Sequence, residues 1–133
     1  MSRTPASATQ RPPLGLLVPI GAFTVLHALF VAAWARGHAP MPALAVAGYA
    51  GAALIGSVAV VGLWRRAPWL RVVALPWGGV AAWLAVLRAL ESTAGAPFRY
   101  ATAVALPLLY LWLAREMIVA ARTLVPPPAR PGT

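Results

Sequence analysis

Four apolar stretches, each long enough to cross a bilayer and separated by short joints that carry arginine, fill nearly all of this 133-residue chain. A hydrocarbon core of ~30 Å is crossed by about 20 apolar residues in helical form. The chain meets that length over residues 14–35, 41–64, 69–90 and 98–121. Backbone polar groups in lipid must be satisfied within a helix or a closed barrel, and the alternating pattern of a barrel strand is absent, so the stretches read as helices. Apolar residues make up 61% of the chain and charged residues 10%, too few charges to clothe a water-soluble domain of this size. The expected fold is an all-α integral membrane protein, with four transmembrane helices in one up-down bundle over residues 14–123.

The charge of +9 comes from eleven arginines and two glutamates, with no lysine. The arginines stand at helix ends, not along one solvent face, which points to topology marking and anionic lipid contact and excludes nucleic acid as the expected partner. With the N-terminus inside, Arg3, Arg11, Arg65, Arg66, Arg71, Arg115, Arg122 and Arg130 lie inside, and Arg36, Arg88 and Arg99 outside. Eight against three predicts that both termini are cytoplasmic. Trp64 and Trp69 flank the inner joint, while Trp34, Phe98 and Tyr100 mark the outer boundary. Residues 1–13 and 124–133 are rich in Pro, Ser or Thr and read as disordered tails. Ala33-Trp34-Ala35 also has the small-x-small form of a signal-peptidase site, but the 22-residue apolar stretch before it is longer than a usual signal core. The absence of lysine and asparagine beside abundant Ala, Pro and Arg points to a GC-rich bacterial genome. The expected location is therefore the bacterial cytoplasmic (inner) membrane.

Helices in lipid associate through close backbone approach and polar contacts. The second span carries Ala45, Gly48, Ala52, Gly56 and Ala59 at helical spacing, with Gly48, Ala52 and Gly56 as the centre of a packing face. That face predicts either packing against spans one or three or a homodimer seam. Pro19, Pro76 and Pro107 interrupt three spans and free the carbonyls of Gly15, Val72 and Ala103.

Ionisable groups inside spans are functional candidates by default. His27 lies deepest, a few ångströms outward of the midplane. Tyr49, Trp83 and the freed carbonyl of Ala103 are expected at its level, where a phenol and a carbonyl would satisfy a neutral imidazole. This makes His27 polar glue between helices; the sharper alternative is a haem ligand or proton carrier. A second axial ligand is wanting, since His38 lies too near the outer surface. Arg88 and Glu91, three apart on one face, are expected to form an outer ion pair. Arg115 and Glu116 are adjacent, diverge around the helix, and are expected to need separate partners.

No catalytic constellation emerges. The chain has no cysteine, and Ser57 has no histidine near it in sequence. Two histidines eleven residues apart do not form a helical metal pair. Size and span number resemble the small multidrug resistance transporters. Their four short helices commonly dimerise around an acid in the first span, a place where this chain offers His27. The resemblance implies a compact four-helix architecture. Three functional expectations follow. The first is a non-enzymatic self-associating or accessory subunit of a larger membrane complex. The second is a small-solute or proton-coupled transporter lined by His27 and Glu116. The third is a haem- or quinone-associated redox subunit.

Overall fold

A computed structural model describes residues 13–123 and 131–132; the expected tails at 1–12 and over most of 124–133 lie outside the described residues. Among the described residues four helices are long and apolar enough to cross a membrane: α1 Leu14–Ala35, α2 Ala43–Arg65, α3 Leu70–Glu91 and α4 Ala96–Thr123. The chain is a multi-pass membrane protein built as an all-α four-helix bundle. The helix boundaries follow local chemistry. Pro42 precedes the first residue of α2 in an extended conformation, so that helix begins two residues later than the apolar run. Pro97 sits in the first turn of α4, where a missing N–H costs nothing and the helix extends two residues further outward than expected.

Helix α1 ends in a left-handed turn at Gly37, with φ of 74° and the His38 N–H donating to the Ala33 carbonyl at 2.9 Å. The same device closes α2, where Arg66 takes φ of 54° and the Ala67 N–H donates to the Gly62 carbonyl at 2.9 Å. Both turns satisfy carbonyls that a helix end leaves open.

Neighbouring helices pair in chain order: α1 on α2, α2 on α3, and α3 on α4. We call the end with the α1–α2 and α3–α4 joints the upper end. In the lower half all four helices meet around Ile20, Leu63, Leu70, Trp77, Leu113 and Met117. The upper core is thinner and draws on α2 and α3 through Ala45, Tyr49, Ala52 and Leu84, with Phe30 and Val31 of α1 laid against it.

The small residues of α2 are used inside one chain. A Cβ added at Gly48 would meet Leu84 and Trp83 of α3, and one at Gly56 would meet Thr24 of α1 and Trp77 of α3. Ala52 between them is fully buried. This face therefore sits between α1 and α3, and a homodimer seam built from it would have to displace them. Gly78 of α3 does the same against α4, where an added Cβ would stand 2.7 Å from the Ala114 Cβ.

Helix α4 is not uniform. Residues Ala101–Ala105 form a π-helical turn, with Leu106 between it and Pro107. The proline ring crowds the carbonyl four residues earlier, that of Ala103, and the wider turn accommodates it. Thr102 lies in this segment and donates from Oγ1 to the Phe98 carbonyl at 2.9 Å, a back-bond of the kind that bends helices.

Candidate functional site: a polar-floored cavity in the upper half

Because α4 stays with α3 and α1 stays with α2, the upper half of the bundle opens between them. The opening is a cavity of about 490 Å³. Its mouth carries Arg88, Glu91, Ser92 and Thr93, at the end of α3 and in the loop that follows. Its walls are Leu26 and Phe30 of α1, Leu84 and Ala85 of α3, and Phe98 and Leu106 of α4. Its floor is His27 of α1, Tyr49 of α2 and Tyr110 of α4. From Ala81, level with the floor, to Glu91 is ten residues of helix, so the cavity is ~15 Å deep at 1.5 Å per residue.

Tyr110 separates this cavity from the lower core. Its ring lies 4.7 Å from that of Phe23 and meets Trp77 edge-on at 5.6 Å. It contacts His27 at 6.0 Å between centroids. Tilted aromatic pairs at these separations are favourable, and together they plug the bundle near its middle. Below them the helices are close-packed, so the cavity is blind.

His27 is only 3% exposed. Its ring meets Tyr49 at 5.8 Å between centroids, a ring contact in place of the expected hydrogen bond. Nδ1 is sealed from solvent with no hydrogen-bond partner, while the residue lines the cavity. Trp83 and Ala103, expected at this level, do not line the cavity. Trp83 is turned toward Gly48, and Ala103 faces a small cleft with Ala89, Leu90 and Tyr100. Tyr110 takes their place, one helical turn beyond Pro107. The signal for it was present in α4. Tyr110, Leu113, Ala114, Met117 and Ala121 recur at helical spacing and are all buried, which marks one inward stripe.

The charged residues correct two expectations. Among the described residues, Arg88 and Glu91 form no ion pair. The Arg88 guanidinium lies over the Phe30 ring, 4.9 Å from its centroid, because its long side chain reaches across the cavity to α1 and finds a polarisable face there. Arg115 and Glu116 do pair with each other, Nη1 to Oε1 at 2.9 Å. Their Cβ atoms diverge, but an arginine arm at the helix surface is long enough to curl back. This pair stands on the lower half of α4, away from the cavity, so Glu116 and His27 do not share a path. Among the described residues no cluster of three potential metal ligands occurs.

Compared with known proteins, the chain matches no family model, no curated protein and no solved structure. The fold and the cavity define a class only: a four-helix membrane protein with a blind intramembrane pocket.

Proposed function

We propose that this protein is a non-enzymatic, small-molecule-binding component of a bacterial cytoplasmic membrane, with its binding site in the upper cavity. Both termini lie in the cytoplasm in this reading, so the mouth at Arg88 and Glu91 faces outward. The volume lies within the ~300–1,000 Å³ range of ligand pockets, which typically combine apolar walls with a few convergent polar groups. One observation carries the proposal: a buried histidine with an unpartnered ring nitrogen stands on the floor of that cavity. Trp77 Nε1, in the packed lower core, is likewise unpartnered, so it is the placement of His27 on the cavity floor that carries the reading.

The absence of native cysteine makes the test direct. Ala85→Cys places a thiol on the cavity wall, Ser92→Cys one at the mouth, and Ala74→Cys one in the lower core. A membrane-impermeant thiol reagent added from outside is expected to label positions 92 and 85 and spare 74. Labelling at 92 with none at 85 would show a closed upper half and remove the site. Labelling of 92 and 85 only from the cytoplasmic side would invert the orientation.

A further inference from the structure

The chemistry of the cavity restricts what it can hold. The floor carries an imidazole and two phenols, contributed by three different helices. Between them these groups provide N–H and O–H donors and matching acceptor lone pairs. The rings touch one another through faces and edges, and no hydrogen bond joins them among the described residues. The two phenols are therefore without a protein partner among those residues, and His27 Nδ1, sealed from solvent, becomes available to an occupant only if the imidazole turns toward the cavity.

No arginine or carboxylate stands at this depth among the described residues. The two that line the cavity, Arg88 and Glu91, are seven and ten residues above Ala81 on α3, or ~10 and ~15 Å nearer the surface. A formal charge on the ligand's deep end would be buried without a counter-ion, which is strongly unfavourable. A neutral carbonyl or hydroxyl there would be met by donors and acceptors of ordinary strength.

The surroundings of the floor are aromatic. Phe30 lies 5.0 Å from Tyr49 between ring centroids, and Tyr110 and His27 close the other side. Faces and edges of this kind favour a flat conjugated ring over a flexible chain. The route in is also apolar. Leu26 of α1 and Phe98 of α4 line the cavity and yet are 42% and 61% exposed, so the rim runs onto the surface that faces lipid.

Resting on the binding role proposed above, we infer that the cavity takes a neutral, planar, carbonyl- or hydroxyl-bearing lipophile of the quinone class. Its ring sits among His27, Tyr49 and Tyr110, and any tail leaves between α1 and the outer part of α4. The oxygen substituents accept from, or donate to, the imidazole and the phenols. The inference concerns binding alone and includes no electron transfer.

The test is calorimetric titration of the purified full chain in detergent micelles with tetramethyl-1,4-benzoquinone. Dodecanoate serves as an anionic lipophile for comparison and decane as an apolar one. The quinone is expected to give saturable one-to-one binding, and the other two only the heat of partition into micelles. His27→Phe, which keeps a ring and removes both nitrogens, is expected to weaken quinone binding tenfold or more; Tyr110→Phe should weaken it severalfold. Dodecanoate or decane binding as tightly as the quinone overturns the inference on the wild-type protein alone, whether or not a variant folds. So does undiminished quinone affinity in both variants. Labelling of Ala85→Cys together with absent quinone binding defeats the ligand class and leaves the cavity. Absent labelling defeats the binding role itself.

Discussion

Replacing His27 with phenylalanine should make the empty protein more stable. Nδ1 is enclosed without a partner, and a buried unsatisfied polar atom costs about 1–3 kcal/mol. Phenylalanine removes that cost, keeps the ring contacts with Tyr49 and Tyr110, and adds little volume beside a cavity with room for it. Some of the gain is lost to the larger ring, so the expected stabilisation is about 1–2 kcal/mol. The assay is reversible unfolding of ligand-free protein in mixed micelles by a denaturing detergent, followed by tryptophan fluorescence. Trp77 reports well because it is fully buried and lies edge-on to Tyr110. Destabilisation by more than about 1 kcal/mol would mean that His27 holds a hydrogen bond in the folded state. The reasoning from an orphaned nitrogen would then fail, and polar glue between helices would be the correct role. The expected pairing of higher stability with weaker quinone binding is itself diagnostic, since a merely structural residue has no reason to oppose the two.

Three further predictions concern packing and charge. Gly56→Ala should destabilise by about 1–2 kcal/mol net of its helix-propensity gain, because the new methyl collides with the Thr24 hydroxyl and stands 3.1 Å from Trp77 Nε1. In a Thr24→Ala background the loss should shrink by at least about 0.5 kcal/mol in a double-mutant cycle, and strict additivity would contradict the contact. Gly78→Ala should cost more than Gly21→Ala. The first drives a methyl to 2.7 Å from the Ala114 Cβ and 3.3 Å from the Tyr110 carbonyl, whereas the second meets nothing within 4 Å; equal unfolding midpoints would deny the α3–α4 close approach. Breaking the Arg115–Glu116 pair with Glu116→Gln should change stability by less than about 1 kcal/mol, since the side chains are 70% and 29% exposed. A loss of 3 kcal/mol or more in the same unfolding assay would place Glu116 in a buried network.

The spans were legible because the bilayer imposes a length that composition alone reveals. The apolar run over residues 14–35 forms a helix with those same bounds, Leu14–Ala35. At the starts of α2 and α4 the differences come from prolines, Pro42 just before the first turn and Pro97 within it, and the remaining ends differ by only one or two residues. The small face of α2 was legible as a face, since spacing fixes it, but its partners were not. Whether Gly48 meets α3 or another subunit depends on how neighbouring helices rotate. The same limit explains Trp83 and Tyr110. Depth along a helix follows from counting, and by counting Trp83 was level with His27. Azimuth does not follow from counting, and α3 turns Trp83 away while α4 turns Tyr110 in. Arg88 failed for a different reason. Spacing to Glu91 permits an ion pair, but a side chain with several rotatable bonds chooses among all partners in reach, and Phe30 on another helix is invisible to local spacing.

The two halves of the bundle differ for a reason that returns to the residues. In the lower half, α3 and α4 can approach because Gly78 and Ala114 present almost no side chain, and α1 closes over them with Ile20. Above Tyr110 that device stops. The outer part of α4 lines the cavity with Phe98, Thr102 and Leu106, and it carries a π turn and a proline that set its course apart from a straight helix. Helix α1 meanwhile turns its bulk, Phe30, toward α2 and α3. Filling the resulting space would have required only larger residues at Ala81 and Ala85, a change that apolar packing in lipid would favour through added contact. Small residues stand there instead, beside a histidine whose nitrogen nothing in the described chain satisfies. Both features lower the stability of the empty bundle, and both are accounted for together if the cavity is the part of the molecule that meets its ligand.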